Sequence, residues 1–230
     1  MIVTRSAAER GTGNYGWLLA RYSFSFAEYY DPNHMGFRSL RVLNEDRIAP
    51  DSQFPMHDHR DMEILTYVIE GAVQHKDSMG NTSIVKAGEF QIMSAGSGVT
   101  HSEENPSATE PLHLLQIWIR PAERGLTPSY QQASFDDRAN ALRLVVSPDG
   151  TDGSLRIHQD ARIYSAVLES GESLTHELGS DRHGWIQVVD GSVQVGETLL
   201  SAGDSAGISE EAAITVTASD DSEFLLFDLG

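Results

Sequence analysis

Short apolar runs of strand length, separated by Gly, Pro, Asn and Asp, recur along the whole chain. Examples are EILTYVIEG, FQIMSAG, LHLLQIWI, WIQVVDG and EFLLFDL. Many short strands with regular turns are typical of a β-sandwich or β-barrel. The polar stretch DSMGNTS (77–83) predicts the tip of a hairpin. Helical periodicity is weak, and only PSYQQASFDDRANALRL (128–144) predicts a short helical turn. The pattern therefore predicts an all-β protein.

Three pairs of short matches in the same order indicate an internal repeat. IEGAVQ (69–74) resembles VDGSVQ (189–194), KAGEF (86–90) resembles SAGDS (201–205), and LHLLQIWI (112–119) resembles EFLLFDL (223–229). We therefore predict two tandem β-barrel domains, 1–125 and 126–230, joined through a linker-like stretch rich in Pro, Glu, Asp and Gln. The aromatic-rich segment 22–37 is expected to pack on a sheet or to close one barrel end.

The composition excludes several classes of function. The 230 residues include no cysteine, so neither a disulfide framework nor a thiolate site can form. No apolar run is long enough to span a membrane, and the N-terminus lacks a secretion signal, so a cytoplasmic protein is expected. The net charge of −18 comes without a basic patch, which argues against direct nucleic-acid binding. A monomer or weak dimer is expected.

Two pairs of ligand-type side chains stand at strand spacing. In FPMHDHRDMEILTYVIEG, His57 and His59 are at i and i+2, so on a strand they share a face with Cβ atoms roughly 6.5–7 Å apart. In SAGSGVTHSEENP, His101 and Glu103 repeat that spacing after a glycine-rich turn. A mixed imidazole and carboxylate set suits one divalent ion such as Fe2+, Zn2+, Ni2+, Cu2+, Mn2+ or Co2+. We favour Fe2+, although this ligand set accepts several ions.

These stretches resemble the two motifs of the cupin superfamily. The resemblance rests on His57-x-His59, Glu63 and Gly71 in the first motif, and on Gly88, Gly98-x-x-His101 and Asn105 in the second. Gly96 departs from the pattern, because proline is common there. The stretches HDHRDMEILTYVIEG, DSMGN, GEFQIMSAGSGVTHSE and YDPNHMGF resemble the pirin family, especially its bacterial quercetin 2,3-dioxygenase-like members. The resemblance implies a bicupin of two double-stranded β-helix (jelly-roll) barrels.

The resemblance also implies a metal site and an activity. It assigns His57, His59, His101 and Glu103 as metal ligands, with a metal-dependent cleavage of flavonols such as quercetin by O2 in the N-terminal barrel. Glu103 or Glu63 would accept the substrate's hydroxyl proton. If a single strand ran from His57, Glu63 would share its face, whereas a bulge at Arg60–Asp61 would spoil that parity.

Apolar residues near the motifs are candidates to clasp a flat aromatic substrate. They are Phe54, Met56, Leu65, Met93 and Ile117. Trp118 and Trp185 lie in strand runs and are predicted to be core residues. His34, His75 and His113 lack a ligand-spaced partner and are predicted to be surface or hydrogen-bonded histidines.

The second repeat lacks the ligand pattern. Counting back from Gly191, as His59 precedes Gly71, reaches Gly179 and Glu177, and His176 does not match that spacing. The C-terminal domain is therefore predicted to be a degenerate cupin without metal.

Two other functions stay open. A pirin-like regulatory protein would use the metal as a structural or redox-sensing element and bind a protein partner. A sugar-phosphate isomerase would need cations near the metal to hold phosphate, and only Arg60 and Lys76 flank the ligands.

Overall fold

The computed structural model describes all 230 residues, which form two compact β units. The N-terminal unit comprises residues 11–134 and 155–159, and the C-terminal unit comprises residues 1–10, 135–154 and 160–230. The units are defined by contacts between residues, and each combines segments that are not consecutive in the sequence. A single domain boundary at residue 125 therefore stays a prediction. Short 3-10 turns lie at Ala7–Glu9 and Thr151–Gly153.

The N-terminal unit consists of two antiparallel sheets. Their strands are β2 (Gly11–Asn14), β3 (Leu18–Tyr22), β4 (Leu40–Ile48), β5 (Gln53–His59), β6 (Glu63–Glu70), β7 (Ala72–Asp77), β8 (Thr82–Lys86), β9 (Glu89–Ser94), β10 (Val99–Glu104), β11 (Leu112–Ile119) and β12 (Ser129–Ser134). The two-residue strand β14 (Leu155–Arg156) also falls in this unit but belongs to neither of these two sheets. One sheet has the order β12-β9-β6-β11-β4-β3-β2, and the other has the order β5-β10-β7-β8. Apolar side chains from both sheets form a common core.

The C-terminal unit repeats this arrangement. Its strands are β1 (Ile2–Arg5), β13 (Arg143–Ser147), β15 (Ala161–Leu168), β16 (Ser173–Glu177), β17 (His183–Asp190), β18 (Ser192–Val195), β19 (Thr198–Ser201), β20 (Ser205–Ile208), β21 (Ala213–Ala218) and β22 (Ser222–Leu229). The order β20-β17-β22-β15 matches β9-β6-β11-β4, and β16-β21-β18-β19 matches β5-β10-β7-β8. The all-β fold with two related units is therefore confirmed.

Glycines at equivalent turns explain why the repeat is visible in the sequence. Gly71 joins β6 to β7 with φ +78°, and Gly191 joins β17 to β18 with φ +68°. A Cβ at Gly71 would lie 2.9 Å from the Pro111 carbonyl oxygen, and one at Gly191 would lie 2.2 Å from that of Asp221. Each turn therefore requires the residue that tolerates a left-handed conformation and leaves room for the backbone.

The hairpin prediction is confirmed and the helix prediction is wrong. The chain turns between β7 and β8 within the stretch 77–83. The stretch predicted to be helical contains strand β12, which pairs with β9 from Ser129↔Ser94 to Ser134↔Glu89. The free edge of β9 offers a full ladder of backbone hydrogen bonds, and this tertiary pairing overrides the weak local preference for helix.

Candidate metal centre

Three histidine rings converge on one side of the N-terminal unit. His57 and His59 project from the same face of β5, and His101 on β10 is the direct cross-strand partner of His57. The ring centroids are 4.5 to 4.9 Å apart. The Nε2 atoms of His57 and His101 are separated by 3.1 Å. The structure thus brings the three predicted histidines together.

The environment keeps the rings of His59 and His101 in the form that binds metal. Burial, followed by repulsion from His101 and His57, lowers the pKa of His59 to about 4. Burial, followed by repulsion from His57 and His75, lowers the pKa of His101 to about 3. Neutral imidazoles carry the lone pair that a metal ion needs. Two nitrogens bound at right angles, each about 2.1 Å from an ion, would lie about 3.0 Å apart, so the 3.1 Å separation fits a shared cation.

The metal-free protein should become less stable as the pH falls below 6.5. The unfolded chain takes up protons on these histidines near pH 6.5, whereas folded His59 and His101 stay neutral down to about 4 and about 3. The contribution of neutral His59 and His101 to the free energy of unfolding is therefore complete above pH 6.5. It declines as the pH falls from 6.5 towards about 4 for His59 and about 3 for His101. For His101 the change is at most about 1.4 kcal/mol per pH unit.

Urea unfolding of chelator-treated protein between pH 7.5 and 4.5 measures this dependence. His101→Asn removes one of the two groups with a lowered pKa and should make the free energy of unfolding depend less steeply on pH. A free energy of unfolding with the same slope in both proteins would contradict the assignment.

Glu103 is buried, as His101 is, and is firmly held. Its carboxylate accepts hydrogen bonds from Thr66 Oγ1 (3.1 Å), Gln91 Nε2 (3.0 Å) and Gln116 Nε2 (2.7 Å). The side chain is buried and lines the same cavity as the three histidines. Its oxygen lies within 4.8 Å of a ring nitrogen of His101. A carboxylate with three donors is held in place, and about one of its four lone-pair sites stays available.

A cavity of about 300 Å³ opens beside these side chains, a size at the lower end of ligand pockets. Phe26, Phe54, Ile64 and Trp118 supply most of its apolar wall. Phe26 comes from the aromatic segment 22–37, which therefore contributes to a binding cavity.

The expectations for the apolar side chains near the cavity hold only in part. Of the apolar candidates, Phe54 lines the cavity, Met56 is exposed, and Leu65, Met93 and Ile117 are buried elsewhere. Trp185 is buried as predicted. The prediction that Trp118 is a core residue is wrong, because its ring is only partly buried and contacts His59 at 4.9 Å between centroids.

Glu63 does not join the cluster. The chain breaks after His59, where Asp61 has φ +51°, and strand β6 resumes with shifted parity, so that Ile64 faces the cavity. Glu63 is buried and accepts a hydrogen bond from Ser94 Oγ at 2.7 Å, with His158 Nδ1 at 3.5 Å. The sequence allowed either an unbroken strand or a bulge at Arg60–Asp61. The strand is interrupted there, and Glu63 therefore lies outside the histidine cluster.

His75 is the residue near the cluster that sequence reasoning missed. It is hydrogen-bonded, as predicted, through Nε2 to Asp77 at 3.0 Å, but it is fully buried and its ring lies 5.3 Å from that of His101. The Nδ1 atoms of His75 and His101 are both buried without a hydrogen-bond partner. Cross-strand pairing of β7 with β10, which opposes His75 to Glu103, creates this proximity.

Replacement of His75 by leucine should weaken metal binding about 10- to 100-fold, as for other partners of ligating histidines. Asp77 only accepts, so a neutral His75 donates through Nε2 and offers the lone pair of Nδ1. His101 Nδ1 is likewise buried without a partner, and a hydrogen bond between the two rings would orient His101 when its other nitrogen binds the metal. Isothermal titration with Ni2+ measures the affinity.

The matched control for His75→Leu is His113→Leu. His113 is also a buried histidine paired with a carboxylate, Glu45 at 3.0 Å, but it is absent from the cavity wall. Equal affinities in wild type and His75→Leu, with both folded, would contradict the orienting role.

The remaining charged candidates lie away from the cavity. His34 pairs with Asp31 at 2.7 Å, which confirms that it is a hydrogen-bonded histidine. Neither Arg60 nor Lys76 lines the cavity, and Lys76 Nζ lies 3.8 Å from Glu104. The cavity wall therefore offers no lysine or arginine for a phosphate group.

The C-terminal unit has a filled core at the corresponding place. The residues at the positions of His57, His59, His101, Glu103 and Gln116 are His176, Leu178, Ile214, Val216 and Leu226, respectively. The four apolar ones belong to one buried cluster, and His176 bonds Asp228 at 2.9 Å. Counting from Gly191 misplaced the equivalent of His59 at Gly179, because the stretch from Leu178 to Gly191 is one residue longer than that from His59 to Gly71.

Comparison with known families accounts for both units. The Pirin family model matches residues 3–119, and the model of the quercetinase C-terminal cupin domain matches residues 144–229. A protein named quercetin 2,3-dioxygenase from Escherichia coli K12 is 54% identical over 229 residues, which cover 100% of this chain and 99% of the relative. A pirin-like protein from Caulobacter vibrioides is 44% identical, with 99% of both chains covered.

Solved structures show the same architecture. The bacterial pirin YhhW from Escherichia coli in complex with nickel(II) is 53% identical, with a TM-score of 0.97 over 100% of this chain and 99% of that chain. A further structure of YhhW reaches a TM-score of 0.98 at 54% identity, over 100% of this chain and 98% of that chain. The donor cluster described above and the nickel complex of this relative together support a divalent metal ion.

Proposed function

This chain belongs to the pirin family of bicupins, and we propose that it is a metal-dependent dioxygenase that cleaves flavonols such as quercetin with O2 in its N-terminal barrel. The observation that carries the proposal is the convergence of three imidazoles on the wall of an aromatic-lined cavity. The quercetin 2,3-dioxygenase name of the E. coli relative supplies the substrate class.

In this proposal His57, His59 and His101 hold the ion, and Glu103 completes the ligand set. Three imidazole rings and one carboxylate suit nickel(II) and iron(II) equally well by donor type. A bound divalent cation supplies Lewis acidity that lowers the pKa of a coordinated hydroxyl.

The protein's own groups then have defined tasks. Glu103 is the carboxylate nearest the histidines in the cavity wall and would take the proton from the substrate's 3-hydroxyl. Phe26, Phe54 and Trp118 would contact the faces of flat aromatic rings and keep water away from the reacting atoms. Thr66, Gln91 and Gln116 hold Glu103 in place; that support is the reason that we favour it over Glu63.

Metal removal and reconstitution test the proposal. Chelator-treated protein should leave the quercetin absorbance unchanged in air, and addition of one equivalent of Ni2+, Fe2+, Mn2+ or Cu2+ should start its loss with release of carbon monoxide. Oxygen-free samples serve as the control. No loss with any of these ions, in protein that contains bound metal, would end the dioxygenase proposal.

A further inference from the structure

A row of buried polar side chains crosses the long sheet of the N-terminal unit. Gln91 on β9, Thr66 on β6, Gln116 on β11 and Asn44 on β4 are direct cross-strand partners in that order. All four are buried, with Asn44 only 2% exposed. At the corresponding positions of Thr66 and Gln116 the C-terminal unit has Ile186 and Leu226. The polar row is therefore not a requirement of the fold.

Three of these four side chains donate hydrogen bonds to Glu103, but Asn44 does not. Thr66, Gln91 and Gln116 donate to the Glu103 carboxylate, and Gln91 and Thr66 bond each other at 3.0 Å. Asn44 Oδ1 is buried and has no hydrogen-bond partner in the protein. A buried acceptor without a donor destabilises the folded protein. Such a group, on the wall of a cavity, indicates that something else donates to it.

A second acceptor lies beside Asn44. Asp46 follows at i+2 on β4, so both side chains project from the same face, and both line the cavity that contains the three histidines. Asp46 is 3% exposed. Glu45, between them, projects to the opposite face, where it pairs with His113. Two buried side chains with oxygen acceptors thus stand in the cavity wall, one strand away from Gln116, which donates to Glu103.

We propose that Asn44 and Asp46 recognise hydroxyl groups of the substrate, which makes the cavity selective for aromatic substrates with hydroxyls on the rings beyond the metal-binding oxygens. This inference rests on the proposed function for the flavonol class. A hydroxyl donates to Asn44 Oδ1 or to a carboxylate oxygen of Asp46, and a bare ring leaves Asn44 Oδ1 buried without a donor. Rejection of the unhydroxylated analogue then follows from the same buried acceptors.

Oxygen-free binding of two flavonols to nickel-loaded protein tests the proposal without turnover. Quercetin carries hydroxyls on both outer rings, whereas 3-hydroxyflavone keeps only the metal-binding pair of oxygens. Equilibrium dialysis should give about 10- to 100-fold tighter binding of quercetin by the wild type. Asn44→Leu and Asp46→Asn should each reduce that ratio at least about threefold, chiefly through weaker quercetin binding. Glu45→Gln, on the opposite face of β4, is the matched control and should keep the ratio.

The nickel content and the circular dichroism spectrum of each variant show whether the metal site and the fold persist. If Asn44→Leu fails to fold, the nearly isosteric Asp46→Asn still tests the proposal. Equal binding of the two flavonols by the wild type, or an unchanged ratio in the folded variants, overturns the proposal. Binding of neither flavonol overturns it as well. Preferential quercetin binding that depends on these residues, without consumption of quercetin in air, supports the recognition site and contradicts the dioxygenase activity.

Discussion

Replacement of His101 by alanine is expected to abolish specific metal binding, with a loss in affinity of more than about 100-fold. His101 is the central ring of the cluster, because it belongs to both groups of ligand-type side chains, with His57 and His59 on one side and with His75 and Glu103 on the other. Even partners of ligands contribute about 10- to 100-fold, so removal of the ring itself should cost more. Titration of metal-free protein with Ni2+ measures the change.

The fold should survive this substitution. His101 adds buried polar surface and its Nδ1 has no partner, so its loss removes little stabilisation from the metal-free protein. Thermal unfolding of the chelator-treated variant should therefore resemble that of the wild type near pH 7, whereas the wild type alone gains stability from added metal. His113→Ala is the control histidine. Tight stoichiometric nickel binding by folded His101→Ala would remove the basis for the metal centre.

Glu103→Gln has the second large expected effect, a reduction of about 10²- to 10⁴-fold in flavonol turnover. The amide cannot take the hydroxyl proton. Its NH2 group would also face one of the donors that now serve the carboxylate, Gln116 Nε2 or Gln91 Nε2, and leave a buried donor unsatisfied. Turnover is measured under air, with the nickel content of each sample determined in parallel.

Glu104→Gln separates this effect from a general change in charge. Glu104 neighbours Glu103 on β10 but projects to the other face, where it is partly exposed and 3.8 Å from Lys76. The Glu104→Gln variant should retain full turnover, because an exposed ion pair contributes little to the stability of the fold. Wild-type turnover in metal-containing Glu103→Gln would exclude Glu103 as the proton acceptor.

The two predictions depend on different parts of the site. His101 acts through its ring nitrogens, and Glu103 acts through a carboxylate whose position is imposed by Thr66, Gln91 and Gln116 from three other strands. A variant that loses its metal while Glu103 keeps its three donors lacks a ligand. A variant that keeps its metal while Glu103 loses these donors has a displaced base.

The sequence alone determined the fold class, the internal repeat and the pairing of histidines in the N-terminal half. Strand alternation is a local property, so the i, i+2 spacing of His57 and His59 was enough to place both rings on one face. The repeat was visible because Gly71 and Gly191 occupy turns that require positive φ.

Only the tertiary structure decided which other residues meet these histidines. One residue at a strand break changes the face of everything that follows, which is why Glu63 points to Ser94 and His158 while Ile64 faces the cavity. His75, Asn44 and Gln116 approach the site through cross-strand pairing between segments far apart in the chain, and no local pattern carries that register. Side-chain alternation is fixed within a strand, whereas contact between strands depends on how the whole unit pairs its sheets.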